Sequence, residues 1–406
     1  MPRPIALVAG GTRGIGLATG LAFAKRGMDV VLTHRWASVD DAEIFAAFDA
    51  AELPRPQIFE ADIADDDATD TLLDHIGRPV DVFVPNVCVA ARGDGNFHAR
   101  TLRQSLAYSA WPMLRYVEAM AQKFGEVPRH IIATSSDGHE HFYPGYDYVA
   151  ASKALLEGLC VELAARFPQS RVNAVRARQV DTHSFREMFP ADSREHIASF
   201  SEFDLDAADV AQAIVALTDP AFAGITGQTI VIDRGATHMD NLVCVAPRLL
   251  GMPAPWESIP SLSEAPAGRL WVDAGVAPAH GRFDVVTLAE LEGKTIPSQV
   301  VLGIDWDAVS LDSLERVAHA MVDILQTAQT QGHLVHHALQ IDRGTSPGIE
   351  LSHTLARYWN AWRVSLDTRV NFVATAPNSD PTPIVDGLFG GAFDNVHGHR
   401  FVWENR

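Results

Sequence analysis

A glycine-rich turn near the start of the chain limits the possible folds more than any other part of the sequence. The apolar run at residues 5–9 is followed at 10–16 by Gly-Gly-Thr-Arg-Gly-Ile-Gly, then by an alanine-rich helical pattern and a second apolar run at 29–33. In such a strand–turn–helix–strand unit, glycines let backbone N–H groups at the helix N-terminus approach a pyrophosphate. The sequence therefore predicts a doubly wound α/β fold with a dinucleotide site. The alternative is a turn that only packs the helix on the strand.

The composition excludes several classes of function. The 406 residues include 32 Lys and Arg against 51 Asp and Glu, and the net charge of −19 argues against binding a nucleic-acid backbone. No apolar run reaches the ~20 residues of a membrane span, and we expect a soluble protein without a secretory signal. The cysteines, Cys88, Cys160 and Cys244, are far apart and odd in number, which favours a reducing cytoplasm over a disulfide framework.

The glycine spacing and the landmarks that follow it resemble the short-chain dehydrogenase/reductase family. Its turn reads Thr-Gly-x3-Gly-x-Gly, and Ala9 stands here where threonine is usual. Matches to the family's later strands follow in order at Asp62-Ile63, residues 81–86, residues 171–175 and residues 227–233. The resemblance covers residues 4–240 and implies a Rossmann sheet, a nicotinamide cofactor and oxidoreductase chemistry.

Two arginines indicate which nicotinamide cofactor the site takes. An acidic residue at the end of the second strand would favour NAD, because it would bind the ribose 2′-hydroxyl. This chain has Arg35 there and Arg13 inside the glycine turn, and two guanidinium groups suit a 2′-phosphate. We therefore predict NADP(H), the alternative being that Arg35 is only a solvated loop residue. With the resemblance, the expected cofactor-binding residues are Gly10, Arg13, Gly14, Ile15, Gly16, Arg35, Asp62, Ile63, Asn86, Lys153, Val180 and Thr182.

The catalytic stretch departs from the usual spacing of the family. There, a Tyr-x3-Lys motif sets a lysine on the nicotinamide ribose, where it lowers the pKa of the tyrosine that polarises the substrate oxygen. Lys153 is present, but Val149 stands four residues before it and cannot donate a proton. Tyr148 is one residue off, about 100° around a helix, so we expect it to pack inside. Tyr146 lies seven residues before Lys153, almost two helical turns, and is therefore expected on nearly the same face of the helix as Lys153.

The Tyr-x6-Lys spacing is that of enoyl-acyl-carrier-protein reductases, and residues 130–153 and 180–190 resemble the Bacillus-type enoyl reductase III. The resemblance implies hydride transfer to the β-carbon of an enoyl thioester, with Tyr146 polarising the thioester oxygen and Lys153 holding the ribose. Ser136 occupies the position of the catalytic serine of ketoreductases. The alternative is that its hydroxyl only forms hydrogen bonds with nearby backbone groups. We predict Tyr146, Lys153 and Ser136 as catalytic residues of an NADPH-dependent reductase acting on acyl-carrier-protein or coenzyme A thioesters.

Departures from the family pattern leave two other functions open. Val87-Cys88 replaces the Ala-Gly of the family's Asn-Asn-Ala-Gly, Tyr108 replaces an asparagine, and Ala177-Arg178 replaces Pro-Gly. The chain could thus be a 3-oxoacyl thioester ketoreductase in which Tyr148 or a shifted loop supplies the proton. It could also be a non-catalytic cofactor-binding or scaffold subunit of a biosynthetic complex. The candidates for docking an acidic carrier protein are Arg186 and Arg194.

The last 160 residues echo the first part of the chain. Residues 270–275, 283–288, 369–373 and 396–404 repeat the strand patterns, and amphipathic runs fill 311–330 and 350–367. This second part has no glycine turn. Leu351 occupies the position that corresponds to the catalytic lysine, and Gly344 the position that corresponds to the catalytic tyrosine. We therefore predict a reductase domain at 1–242, a proline-containing linker at 243–267 and a degenerate, non-catalytic Rossmann-like α/β domain at 268–406. The alternative is an unrelated α/β appendage.

The degenerate domain is expected to act as a built-in partner, because members of the family dimerise through their fourth and fifth helices. It would dock on residues 102–124 and 148–167 as an intramolecular pseudo-dimer, and the linkage would raise its effective concentration; a further homo-oligomer stays open. No metal is expected at His333, His336, His337 and His353, since no carboxylate spacing completes a site. Trp359 and Trp362 are expected to pack their helix.

Overall fold

The computed structural model forms two compact units. They comprise Met1–Asp219 with Ile225–Asp233, and Pro220–Gly224 with Arg234–Arg406. The residues that the structure describes are 2–35, 39–89, 98–141, 145–189, 205–235, 263–279, 282–344, 346, 349, 352–353, 356, 368–376, 379–391, 393–394, 396 and 399–403. Outside them lie residues 243–262 of the linker predicted at 243–267, most of the amphipathic run 350–367, and Arg194, Leu351, Trp359 and Trp362.

In the described part of the first unit, seven parallel strands form one sheet. They are β1 Ile5–Ala9, β2 Asp29–His34, β3 Gln57–Glu60, β4 Val82–Pro85, β5 His130–Ser136, β6 Arg171–Ala177 and β7 Thr229–Ile232. Their order is β3-β2-β1-β4-β5-β6-β7. Every residue of β1 is buried, as expected of a central parallel strand covered on both faces. The predicted doubly wound sheet is confirmed, and the strand order switches between β1 and β4, where such sheets bind ligands.

Helices connect these strands and cover the sheet. Among the described residues they are α1 Gly14–Lys25, α2 Asp41–Ala50, α3 Asp66–Ile76, α4 Ala99–Ser109, α5 Trp111–Phe124, α6 Asp147–Arg166, α7 His183–Met188 and α8 Ala207–Ala216. A core of aliphatic and aromatic side chains from β1, β4, β5, α3, α5 and α6 holds one face together. The C-terminal ends of the strands therefore open onto the turns before α1, α6 and α7, where the predicted site residues lie.

The second unit also contains a parallel sheet. Its elements are β8 Ser263–Glu264, β9 Arg269–Ala274, β10 Asp284–Thr287, β11 Gln299–Asp305, α9 Leu311–Thr330, β12 His333–Leu334, β13 His337–Arg343, β14 Arg369–Thr375, α10 Thr382–Phe389 and β15 Arg400–Trp403. The six-stranded sheet has the order β10-β9-β11-β13-β14-β15, which is the order of the first sheet without an equivalent of β3. The predicted strands of this part and the helix at 311–330 are confirmed.

One asparagine makes the same hydrogen bonds in each unit. Asn173 in β6 donates from Nδ2 to the carbonyl oxygen of Ile225 at 2.9 Å and accepts the N–H of Gln228 at 3.1 Å. Asn371 in β14 donates to the carbonyl oxygen of Val396 and accepts the N–H of His399, both at 3.0 Å. Each amide thus ties its strand to the segment that leads into the last strand of its sheet.

Three of the histidines considered as metal ligands lie in the secondary structure or the interior of the second unit. His333 lies in β12, which pairs with β8, and His337 begins β13. His353 is buried, with Nε2 at 2.7 Å from a carboxylate oxygen of the equally buried Asp342. Within the described residues, no three His, Cys, Asp or Glu side chains are grouped so that they could hold a metal ion. None of the described helices combines the length and the hydropathy needed to cross a membrane.

Candidate active site

The glycine turn folds into an open cradle at the start of α1. Gly10 and Gly14 have φ angles of +72° and +53°, a region that favours glycine. A Cβ on Gly16 would lie 2.1 Å from the carbonyl oxygen of Gly10, so the helix approaches the turn as closely as glycine allows. No side chain caps the first turn of α1. Its dipole and N–H groups therefore suit a phosphate group, and the cradle fits the pyrophosphate of a dinucleotide.

A cavity of about 350 Å³ lies at the C-terminal ends of the strands. All the predicted site residues line it except Gly16 and Asp62. Asp62 follows β3, which ends at Glu60, and its carboxylate accepts the N–H of Ala64 at 3.0 Å. The structure therefore brings the predicted cofactor-binding and catalytic residues to one cavity, although they come from distant parts of the chain.

Tyr146 and Ser136 meet inside this cavity. Tyr146 is the N-cap of α6, and its hydroxyl donates to Oγ of Ser136, at the end of β5, over 3.2 Å. The Tyr146 ring stacks on Phe189 with 6.0 Å between ring centroids. A Cβ on Gly138 would lie 2.3 Å from Cε1 of the Tyr146 ring. The ring can therefore hold this position only because residue 138 has no side chain.

Lys153 extends along the inner wall of the cavity. The side chain is only 4% exposed, and Nζ donates to the carbonyl oxygen of Thr134 over 2.8 Å. Thr134 lies in β5, two residues before Ser136, so this hydrogen bond links α6 to the strand that carries the serine. The ammonium group is thus fixed beside the Ser136–Tyr146 pair without using either hydroxyl.

The two residues near Tyr146 that compete for its role have different environments. Tyr148 is 2% exposed, as its helical phase predicts, and its hydroxyl accepts the backbone N–H of His98 at 2.7 Å. Val149, which occupies the usual tyrosine position, lines the cavity and belongs to a buried apolar cluster with Met188 and Phe189. Of Tyr146 and Tyr148, it is accordingly Tyr146 that lines the cavity.

The rim around the glycine turn comes from two loops. Asn86, after β4, donates from Nδ2 to the carbonyl oxygen of Gly10 over 3.0 Å. Thr182 caps α7 by accepting the N–H of Phe185 at 3.2 Å, and a Cβ on Gly14 would lie 3.3 Å from Cγ2 of Thr182. The start of α7 therefore lies over the turn, and the residues after β4 border it on the other side.

The two predicted phosphate-binding arginines both line the cavity. Nη2 of Arg13 lies 3.9 Å from the carboxylate of Glu187, a partly exposed and weak pair. Nε of Arg35 lies 3.0 Å from Oδ2 of Asp62, and its Nη1 donates to the hydroxyl of Tyr108. Arg35 is therefore an anchored side chain and not a solvated loop residue.

The sequence analysis did not predict a buried ion pair between α6 and β6, the strand next to β5 in the sheet. The carboxylate of Glu157 in α6 accepts from Nε and Nη2 of Arg176 in β6, at 3.0 and 2.6 Å, and from Oγ of Ser135 at 2.6 Å. Nη1 of Arg176 reaches Glu140, in the loop after β5, at 2.5 Å. Burial acts to lower the pKa of Arg176, but the hydrogen bonds and charges of the two carboxylates raise it. The available signal was Arg176 among the apolar residues Val172, Ala174, Val175 and Ala177 of β6.

Three comparisons bear on this site. The Enoyl-(Acyl carrier protein) reductase family matches residues 9–237, more than half of the chain. The 1-cyclohexenylcarbonyl-CoA reductase of Streptomyces collinus is 25% identical over 244 residues, covering 57% of this chain and 86% of that protein. The short-chain dehydrogenase/reductase FrzI of a Cladobotryum species is 30% identical over 190 residues, covering 44% and 70%. A solved short-chain dehydrogenase of Burkholderia cenocepacia, in complex with NADP, has TM-score 0.50 and 28% identity, covering 58% of this chain and 98% of its own.

Proposed function

The chain belongs to the short-chain dehydrogenase/reductase family, and from this premise we propose that it is an NADPH-dependent reductase of acyl thioesters, most specifically of the 2-enoyl double bond. The oxidoreductase chemistry follows from the family. The cofactor is supported by the related structure in complex with NADP and by Arg13 and Arg35 on the cavity wall. The thioester is supported by the family's description and by the CoA reductase from Streptomyces collinus.

One observation carries the choice of catalytic residue. The Tyr146 hydroxyl lies in the cavity beside Ser136, whereas the usual tyrosine position is Val149 and the Tyr148 hydroxyl is occupied in the interior. The 3.2 Å bond between the two hydroxyls is long for an O–H···O bond, so it is readily exchanged for a better acceptor. Tyr146 can therefore turn its proton toward a substrate oxygen while it accepts a hydrogen bond from Ser136.

The side chains act on the oxygen where negative charge develops. The hydride that adds to the β-carbon is what NADPH supplies when it is bound. As negative charge develops on the thioester oxygen, Tyr146 would donate its proton to it and regain one from solvent, and the resulting enol would become the saturated thioester by taking a proton from water at the α-carbon. The ammonium of Lys153 would favour the charge on the oxygen and hold the cofactor ribose. Gly10, Gly14 and Ile15 would hold the pyrophosphate, and Asn86 and Thr182 would border it.

The acyl group would lie against the apolar wall. Val149, Met188 and Phe189 form a buried cluster, and the rings of Tyr146 and Phe185 pack against it. A tyrosine at position 149 would fill this space, so the change to valine both removes the usual proton donor and leaves room for carbon atoms beyond the thioester. This supports an acyl group with an apolar body next to the reacting carbons.

One observation supports the alternative that the protein is a ketoreductase. A serine hydroxyl beside a tyrosine hydroxyl also suits polarisation of a ketone oxygen, and Ser136 and Tyr146 provide such a pair. The version in which Tyr148 supplies the proton has no support, because that hydroxyl accepts the N–H of His98 and lies outside the cavity wall. The scaffold alternative predicts bound cofactor without turnover.

Two substrates of equal length separate these functions. The full-length protein is assayed for NADPH oxidation with crotonyl-CoA and with acetoacetyl-CoA, which share a four-carbon acyl chain and differ at its α- and β-carbons. We expect turnover of crotonyl-CoA that is lost in Tyr146→Phe and kept in the matched control Tyr148→Phe. Turnover of acetoacetyl-CoA alone would establish the ketoreductase. Binding of NADPH without turnover of either thioester would favour the scaffold.

We also propose that the second unit is a degenerate, non-catalytic copy of the first, docked as an intramolecular partner on residues 102–124 and 148–167. Its strand order and the shared asparagine bonds of Asn173 and Asn371 support common descent. Linkage in one chain would raise the effective concentration of such a partner. A size measurement tests the docking: a dimer formed through the helices of the first unit would contradict it.

The carrier and the compartment complete the proposal. Arg186 forms two hydrogen bonds to the carboxylate of Asp181, at 2.8 and 2.7 Å, which offsets the positive charge that an acidic carrier protein would need. Coenzyme A thioesters are therefore the first substrates to test, with acyl-carrier protein second. We propose the cytoplasm as the location, because the odd number of widely spaced cysteines suits a reducing compartment.

A further inference from the structure

A tyrosine from α4 reaches the arginine that follows β2. The hydroxyl of Tyr108 accepts a hydrogen bond from Nη1 of Arg35, and the guanidinium carbon lies 4.8 Å from the centroid of the Tyr108 ring. From the other side, Oδ2 of Asp62 lies 3.0 Å from Nε of the same guanidinium. Arg35 and Tyr108 both line the cavity. Two residues from separate elements, Tyr108 of α4 and Asp62 after β3, thus hold the guanidinium of Arg35 at the cavity wall.

Such fixing matters because Arg35 is partly exposed. Its side chain is 36% exposed, and a long side chain at that exposure loses rotamer freedom when a ligand immobilises it. A guanidinium that is already oriented loses less freedom on binding an anion. Its five N–H groups can serve a carboxylate, a phenol and a phosphate together. Preorganisation of Arg35 should therefore strengthen the binding of an anion at this wall.

The two anchors of Arg35 differ in charge. The carboxylate of Asp62 orients the guanidinium, but it also offsets the positive charge and repels an incoming phosphate. The phenol of Tyr108 is neutral, so it orients the same group without adding repulsion. Its ring also covers one face of the guanidinium, where cation–π attraction adds to the hydrogen bond.

We propose that Tyr108 is a positioning residue for Arg35 and thereby sets the preference for a 2′-phosphorylated adenosine cofactor over its unphosphorylated counterpart. The inference rests on the proposed NADP(H) cofactor and not on which thioester is reduced. Tyr108 acts through the guanidinium of Arg35, so its contribution is confined to ligands that carry the 2′-phosphate.

Binding measurements on the full-length protein test this without any turnover. Isothermal titration calorimetry gives Kd for NADP⁺, for NAD⁺ and for adenosine 2′,5′-bisphosphate, with the wild type and with Tyr108→Phe. We expect Tyr108→Phe to weaken the two 2′-phosphorylated ligands by about 5- to 10-fold, the cost of ordering one long side chain on binding, and to leave NAD⁺ within about 2-fold. The control is Tyr116→Phe, a buried residue of α5 that does not line the cavity.

A double-mutant cycle shows whether Tyr108 acts through Arg35. In an Arg35→Met background, Tyr108→Phe should cause no further loss of NADP⁺ affinity, because the group that it orients is gone. Equal weakening of NADP⁺ and NAD⁺, or a loss that persists in the Arg35→Met background, would overturn the inference and place Tyr108 against the adenine. Unchanged Kd values would overturn it as well. A protein that binds NADP⁺ as expected but reduces no thioester would refute the proposed reaction alone.

Discussion

The hydroxyl of Tyr146 donates a hydrogen bond to Oγ of Ser136 over 3.2 Å, and the two residues are ten positions apart in the chain. Ser136 ends β5 and Tyr146 is the N-cap of α6, so the two hydroxyls come from different elements of the fold. The pair faces the same cavity as Lys153. A strand end, a helix start and a helix interior thus provide the groups that can act on one substrate oxygen.

Removing the Tyr146 hydroxyl should stop the reaction without unfolding the chain. Tyr146→Phe keeps the ring against Phe189 but removes the only phenolic donor proposed to act on the substrate. We expect kcat for crotonyl-CoA to fall about 100-fold or more, the range for loss of a general acid. Steady-state kinetics measures the change. An activity equal to that of the wild type would remove Tyr146 from the mechanism.

A methyl group at position 138 should displace the Tyr146 ring. Because a Cβ there would lie 2.3 Å from Cε1 of the ring, Gly138→Ala forces the ring or its loop to move. We expect kcat to fall about 10-fold or more, since small misplacements of a reacting group are costly. The matched control is Gly158→Ala, an exposed site of α6 with no atom within 4 Å of the added Cβ. Full activity in Gly138→Ala would show that the ring position does not matter.

Breaking the ion pair behind β5 should destabilise the first unit. Arg176→Met leaves the Glu157 carboxylate buried without the guanidinium that now holds it. The expected loss in free energy of unfolding is about 3 kcal/mol, as for other buried pairs that lose one partner. Urea unfolding followed by circular dichroism measures it. The double variant Arg176→Met, Glu157→Gln should regain much of the loss, and equal instability of the single and double variants would show that the unpaired carboxylate is not the cause.

His130 should make the stability of the first unit depend on pH. Burial lowers the pKa of this imidazole to about 4, and the charges of Arg171 and Arg129 act in the same direction. Between pH 6.5 and 4, the unfolded chain binds a proton that the folded chain excludes, so the free energy of unfolding falls as the pH falls and levels off below 4. Because of His130, the free energy of unfolding should be about 1 kcal/mol lower at about pH 5.5 than at about pH 7.5.

A variant and a titration check the origin of that pH dependence. His130→Gln should lack this part of the loss, and His75→Gln, an exposed site on α3, should keep it. Titration of the imidazole protons by NMR gives the pKa directly. A pKa near the ordinary value of about 6.5 for His130 in the folded protein would contradict the assigned burial effect.

The glycine turn could be predicted from the sequence because it depends on local geometry, whereas Lys153 and Tyr146 were identified from the resemblance to the family's catalytic motif. The positive φ angles of Gly10 and Gly14 follow from a tight turn between strand and helix, and helical phase alone separates Tyr146 from Tyr148. The parallel strands could be predicted from their apolar runs. Local patterns of this kind repeat in the second part of the chain, which is why its strands were also predictable.

The contacts that hold the site together could not be predicted in the same way. The pairing of Arg176 with Glu157 depends on which face of α6 packs against the sheet and on the register of β6 beside β5. The need for glycine at 138 depends on where the Tyr146 ring lies, and the contact between Arg35 and Tyr108 joins residues 73 positions apart. These are tertiary relationships, and a single sequence contains no direct signal for them.

The hydrogen bonds of the Asn371 side-chain amide have a consequence for how the sequence of such a sheet can change in evolution. Among the residues that the structure describes, the Asn371 side chain bonds to two main-chain groups before β15, the carbonyl oxygen of Val396 and the N–H of His399, and these bonds do not depend on which side chains those residues carry. Residues at the rim of this sheet can therefore change freely while the final strand stays in register. A sheet whose last strand is held through main-chain hydrogen bonds does not depend on the side chains at its surface. It can therefore lose a ligand site or gain a new one and still fold.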